Sequence, residues 1–172
     1  MNSKNQINID SAENTQPAHS KDSKKHLIFS LGGKRYGIPL FLIKEVIGPC
    51  DITSVPKVAK YYKGLINLRG QIISVIDLRL KFNVPDEFSK ETAIIIAHVG
   101  DIEVGLIIDE VIEVVGYKSD QVDYAEPEKM NRIVEGVYGV AKDASGSLTL
   151  LLNIEKSLDV REFNVLTSKN AM

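Results

Sequence analysis

The feature that most constrains this chain is a recurring pattern of short Val- and Ile-rich runs cut by glycine turns. His26–Leu31 (HLIFSL) leads into Gly32-Gly33 and then Arg35–Ile38. Two glycines between apolar runs signal a hairpin, because glycine accepts the positive φ that a tight turn needs. Further runs at Gln71–Ile76, Thr92–Val99, Ile102–Ile108, Val111–Val115 and Ser147–Ile154 are strand candidates, since branched side chains suit a pleated sheet. His98-Val99-Gly100-Asp101 and Asp143–Gly146 supply two more hairpin turns. Ala93–Ala97 and Leu106–Ile108 lack polar alternation, the mark of strands buried on both faces. Helical signal is confined to Val58–Lys63, set between Pro56 and Gly64, and to Asp77–Phe82 and Glu155–Arg161.

The pattern also repeats. YGIPLFLIKEVI (Tyr36–Ile47) aligns without gaps on VGLIIDEVIEVV (Val104–Val115), placing Gly37 on Gly105, Ile43 on Val111, Glu45 on Glu113 and Val46 on Val114. Gly64–Leu78 likewise parallels Gly136–Ile154, with a longer turn in the second copy. Two similar units of about 65 residues, each with about five strands, predict a mainly β fold of two packed five-stranded small β-barrels with a few short helices. The first barrel is expected at roughly 26–88 and the second at roughly 89–160, with terminal strands able to exchange between them. Residues 1–25 are rich in Asn, Ser, Gln, Lys and Asp and read as a disordered tail, and 161–172 as a C-terminal tail.

Composition narrows the function. Twenty-one basic and 23 acidic residues give a net charge of −2, and aromatics make up 6% of the chain. Neither property suits a nucleic-acid platform, which stacks bases on aromatics over a basic groove. Apolar stretches of four to six residues are far short of the roughly 20 that span a bilayer, so no membrane insertion is expected. The single Cys50 cannot form an internal disulfide, which fits a reducing cytoplasm, and it reads as a buried or half-buried structural thiol.

No phosphate-cradling G-x-x-x-x-G-K-[ST] motif occurs. His19, His26 and His98 are scattered, so no metal or cofactor site is expected. Asp109, Glu110 and Glu113 read as solvated positions along a strand edge rather than an acid/base pair. The chain is expected to be no enzyme.

Residues 55–82, VPKVAKYYKGLINLRGQIISVIDLRLKF, are more specific. Gly64 and Gly70 bracket a turn, Arg69 precedes an apolar strand, and Asp77 closes it. An arginine there can pair internally with Asp77, or it can present an exposed fork of donors to a partner. Physical reading alone leaves both open.

This stretch resembles the signature of the CheW family, whose pattern runs P-x(n)-G-L-x-N-L-R-G-x-(I/V)-(I/V)-x-V-(I/V)-D-L-R. Pro56, Gly64, Leu65, Asn67, Leu68, Arg69, Gly70, Ile72, Val75, Asp77, Leu78 and Arg79 match it. Tyr36–Pro39 with Ile43, Glu45 and Val46 fits as well, as do Val104–Val115, Glu135–Val137 and Leu150–Ile154. Ser74 departs from a usual proline, which would loosen its strand, and Asn153 from a usual aspartate.

The resemblance covers about residues 26–160 and implies two barrels without catalysis. It also implies a non-catalytic chemotaxis adaptor that couples the cytoplasmic tips of methyl-accepting chemoreceptors to the histidine kinase CheA, whose regulatory domain shares the fold. A scaffold of a pilus-motility or other non-flagellar chemosensory pathway is the alternative. By the same resemblance the receptor site is expected at Arg69, Glu45, Ile43 and Val46, with Gly64, Asn67, Gly70 and Asp77 as the structural turn of the motif. The implied location is cytoplasmic, at receptor arrays.

Overall fold

The structure is a computed structural model that describes residues 25–124 and 136–158. Eleven strands alternate with tight turns: β1 Lys25–Leu31, β2 Lys34–Pro39, β3 Ile43–Ile47, β4 Tyr62–Leu68, β5 Gln71–Asp77, β6 Ala93–Val99, β7 Ile102–Ile108, β8 Glu110–Gly116, β9 Val122–Tyr124, β10 Val137–Lys142 and β11 Leu148–Leu152. Among the described residues two one-turn helices, α1 Leu78–Lys81 and α2 Ile154–Ser157, follow β5 and β11. The expected tails fall outside the described residues, as does the far end of the helix expected at Glu155–Arg161.

The strands form two sheets, ordered β8-β1-β2-β11-β10-β9 and β3-β6-β7-β5-β4. The internal repeat is visible position by position. β3, β6, β7, β5 and β4 occupy the places of β8, β1, β2, β11 and β10. The isolated bridge between Thr53 and Leu65 takes the place of β9. Each sheet contains one parallel pair, β2 with β11 and β7 with β5, in matching register: Gly37 opposite Leu151, Gly105 opposite Val75. The chain crosses between sheets twice, through a single 3-10 turn at Leu40–Leu42 and again at Asp109. A boundary near residue 88 would therefore fall between β5 and β6, which share a sheet. The five-stranded sheet runs from 43 to 108, and the other sheet gathers β1 and β2 with everything after β7.

Each sheet is buried on both faces. The main core lies between them and joins Leu27, Phe29, Tyr36 and Ile38 to Ile76, Ile95, Leu106 and Ile108. A second cluster (Ile66, Ile73, Val75, Ile94, Ile96, Ile107) fills the concave face of the five-stranded sheet. A third, around Ile28, Tyr117, Ala141 and Leu151, fills that of the six-stranded sheet. Ile47 of edge strand β3 and Leu68 of edge strand β4 pack on the same second cluster, so the sheet curls until its edges approach. Glycine makes room inside each curl. A Cβ on Gly37 would lie 3.0 Å from Ile28 and 3.1 Å from Leu151, and one on Gly105 would lie 3.1 Å from Ile94 and 3.2 Å from Val75.

The expected pair of closed five-stranded barrels needs correction. The fold is mainly β and two-layered, but the sheets have six and five strands and neither closes through backbone pairs among the described residues. The free edge of β4 is taken by Thr53, whose N–H and carbonyl both bond Leu65 at 2.8 Å, and the matching edge of β10 is taken by β9. β3 and β8 consequently stay as open edges.

The helix expected at Val58–Lys63 is also absent. Lys57 has φ of +60°, Tyr62 N–H closes a turn onto Ala59, and Tyr62 already begins β4. The apolar spacing of Val58, Tyr61 and Tyr62 serves core packing instead. Ser74 does not loosen its strand: it pairs with β4 and β7, and its Oγ accepts a buried hydrogen bond from Tyr62 at 2.8 Å. Asn153 caps α2 as Asp77 caps α1, each accepting a backbone N–H.

Gly64 is the least replaceable glycine. Its φ is +140°, and a Cβ would fall 2.0 Å from the Thr53 carbonyl oxygen. Gly64→Ala is expected to cost roughly 2–4 kcal/mol, whereas Gly33→Ala, at φ +76° with nothing nearby, should cost about 1 kcal/mol. Urea midpoints of the two variants test this, and similar losses would contradict it.

Candidate functional site

β4 and β5 are joined by a two-residue turn, Arg69-Gly70, with φ of +51° and +87°. Two positive φ values match the twist of a tight hairpin. Asn67 Oδ1 locks the turn by accepting the Gly70 N–H at 2.8 Å. Arginine resists this conformation because of its Cβ, and strain of this kind is stored where a side chain has a task.

The turn carries Arg69 to the opposite edge of the sheet. Its Nη1 and Nη2 donate to the two oxygens of Glu45 on β3, at 3.0 and 2.6 Å. This is the two-pronged geometry that a guanidinium and a carboxylate share. Arg69 nevertheless stays 71% exposed, while Glu45 is 22% exposed. Two of the five guanidinium N–H groups meet Glu45, and the outer face remains open to solvent. Val46, next to Glu45 on β3, and Ile72 on β5 are exposed large apolar residues, at 42% and 57%, and Ile43 is half-buried against the main core.

A second bridge spans the same seam. Lys44 Nζ donates to both oxygens of Glu103 on β7, at 2.8 and 3.0 Å, and to Gln71 Oε1 at 3.4 Å. A cleft of about 340 Å³ opens alongside, lined by Gln71, Ile72, His98 and Glu103 among others.

Four expected residues, Arg69, Glu45, Ile43 and Val46, thus share one edge. The others divide. Asn67 and Gly70 make the turn. Gly64 sits at a bulge in β4. Asp77 lies elsewhere, fully buried, and its partner is Arg79 rather than Arg69. Arg79 Nε and Nη2 reach the Asp77 carboxylate at 2.9 and 2.8 Å, and Arg79 N–H caps onto it at 3.0 Å. The internal Arg69–Asp77 pairing is therefore excluded.

Two other expectations change. Cys50 is exposed, since it follows the open end of β3. Asp109 is not a solvated edge carboxylate: it accepts the Gly32 N–H at 2.7 Å and lies 3.6 Å from Arg79. Glu110 and Glu113 are exposed on β8, as expected. Residues the sequence reading missed are Lys44, Gln71, Glu103 and the exposed Ile72. The one available signal was the adjacency of Lys44 and Glu45, an opposite-charged pair on an apolar strand. Among the described residues no cluster of three metal-ligating side chains occurs, and no helix is long and apolar enough to cross a membrane.

The charges at this edge have a directional pH dependence. Side-chain hydrogen bonds from Arg69 hold the Glu45 carboxyl below its ordinary value of 4.5. A depressed carboxylate favours the folded state above its unfolded value, and the effect disappears as pH falls through the lowered value. An NMR titration should find Glu45 titrating below 4.5 in the parent and moving upward in Arg69→Ala; an unchanged titration would contradict the pairing. Removing the buried pair is different in kind. Asp77→Ala strands a charged guanidinium in the core and should cost about 3–5 kcal/mol, read from the urea midpoint, whereas Arg69→Ala should leave that midpoint almost unmoved.

Comparison with known proteins identifies the family. The CheW-like domain family matches residues 25–162. The chain is 35% identical over 156 residues to the chemotaxis protein CheW of Bacillus subtilis, covering 90% of this chain and 93% of that protein. It is 31% identical to the chemotaxis protein CheW of Klebsiella aerogenes, covering 81% and 84%. The crystal structure of the scaffolding protein TtCheW from Thermoanaerobacter tengcongensis superposes with a TM-score of 0.69 at 33% identity, covering 76% of this chain and 89% of that one.

Proposed function

The chain belongs to the CheW family, and from that premise we propose that it couples methyl-accepting chemoreceptors to the histidine kinase CheA as a non-catalytic adaptor in the cytoplasm. The observation that carries the receptor half of this reading is Arg69. It is held at positive φ on a hairpin tip, oriented by Glu45, and mostly exposed. An arginine kept in that state has its donors preorganised for an acceptor on another molecule.

The receptor tip is a helical hairpin, and such a helix lays its apolar face along a groove. Val46 and Ile72 offer the exposed apolar contacts, Ile43 forms the floor, and Arg69 stands at the rim over Glu45. Coupling requires that the kinase use a different surface, so that one adaptor links both partners and raises their effective concentration. β3 and β8, edges of different sheets, give the molecule two separate surfaces for that.

Arg69→Ala is expected to weaken binding of a receptor cytoplasmic fragment roughly 5- to 150-fold, the range for a lost charge-assisted contact. CheA binding should stay within about twofold, as for independent sites. Titration calorimetry with each partner measures both. Parent-like receptor binding by Arg69→Ala would overturn the site, and equal losses for the two partners would overturn the separation of surfaces.

A further inference from the structure

We infer that Lys44 is a positioning residue for the Arg69–Glu45 docking edge, acting through Glu103 and Gln71; in its link to partner binding this rests on the proposed receptor contact. The argument starts from what holds β3. As an edge strand it has backbone bonds only to β6, and the side facing the β4–β5 hairpin has none among the described residues. Side chains alone cross that seam. Arg69–Glu45 is one crossing, with the arginine exposed. The Lys44 ammonium makes another, and it lies deeper: its carboxylate partner Glu103 is 12% exposed. Lys44 also reaches Gln71, the residue that immediately follows the Arg69-Gly70 turn. One cation of the edge strand therefore reaches past β6 to β7 and to the base of the tip that carries Arg69.

The second half of the molecule supports this independently. By the register that places Gly37 on Gly105, Glu103 corresponds to Arg35. Arg35 bonds Glu113 of edge strand β8 at 2.7 Å and lies 3.9 Å from Asp143 in the β10–β11 turn. Edge strand, inner strand and hairpin are thus bridged by charge in both sheets, with the signs reversed. Glu113 aligns with Glu45, so Lys44 stands one residue before the position used in the second half. In the first half the edge strand supplies the cation to the inner strand, and in the second it supplies the anion. In both, the bridge holds the edge strand, whichever sign it uses. Only the first half adds an arginine at the tip, so only there does holding the seam also aim a donor outward.

Lys44→Met keeps the aliphatic stem and removes the charge. In the parent, the two-pronged Glu45 contact should slow rotation about the Arg69 Nε–Cζ bond, seen as separate Nη resonances by nitrogen-15 NMR. In Lys44→Met that rotation should speed up several-fold, and Lys44→Arg should restore it. Receptor-fragment affinity should fall roughly three- to tenfold in Lys44→Met, and the same change should have almost no effect in an Arg69→Ala background, because coupled residues are non-additive. Glu103→Gln supplies the same test from the other end of the bridge should Lys44→Met fail to fold. Rotation as slow in Lys44→Met as in the parent would overturn the positioning role. So would an affinity loss of equal size with and without Arg69. If Arg69→Ala binds receptor like the parent, the receptor assignment falls, while the NMR measurement still decides the role of Lys44.

Discussion

The arrangement depends on one buried guanidinium. Arg79 has no exposed side-chain surface, and neither does its partner Asp77. Removing two charges from water costs several kcal/mol each, so the pair persists only if its remaining donors are met. They are met by pieces from across the fold. Arg79 Nη1 donates to the Glu87 carbonyl at 2.9 Å, Phe88 lies over the guanidinium at 4.8 Å, and Asp109 approaches from the second crossover. Asp109 in turn holds the Gly32 N–H of the β1–β2 turn and donates its own N–H to Ser30. β5, the segment after α1, the crossover into β8 and the first hairpin therefore converge on one charge. The apolar core between the sheets and this shared charge, satisfied where these segments meet, together hold the sheets in place.

Against that rigid centre, the functional edge is built from what the sheet leaves unfinished. Thr53 occupies the outer side of β4, so β3 does not pair with it, and the gap is spanned by side chains: Ile47 and Leu68 on the second cluster, and the polar contacts of Glu45 and Lys44. An unfinished edge is a hazard in a strand protein, because it invites pairing with another chain. Here the charged pairs at the seam and the bulge between Ile43 and Glu45 break the flat edge, while Val46 remains available beside them. The same features that blunt indiscriminate strand pairing also create a surface on which a chosen partner can be read.

Much of this was legible in the residues, for reasons that can be named. Runs such as Ala93–Ala97 lie on strands with one sheet face in the shared core and the other in the curl, so the loss of alternation reported real two-sided burial. The alignment of Gly37 with Gly105 was visible because both face the same crowding, opposite a parallel strand. What stayed hidden was pairing between distant positions. Nothing local to Asp77 distinguishes Arg69 from Arg79 as its partner; the short reach from a helix cap to the second residue of its helix decides it. Barrel closure was misjudged because the strand that caps β4 is a single bridge at Thr53, too short to register as a strand in sequence. Val58–Lys63 has helical spacing, yet Lys57 turns the backbone the wrong way and Tyr62 is claimed by β4.

The two crossings of the chain between sheets have a consequence in time as well as space. The five-stranded sheet is built from one continuous stretch, residues 43–108, and can assemble as soon as that stretch is available. The first hairpin cannot. β2, paired with β1, finds its second neighbour only in β11, the last strand among the described residues, and β1 waits for β8. During synthesis at roughly 5–20 residues per second, Leu27, Phe29 and Ile38 emerge several seconds before Ile95, Leu106 and Ile108, which cover them in the shared core. The newborn chain therefore carries an apolar hairpin uncovered until its partner strands have been made.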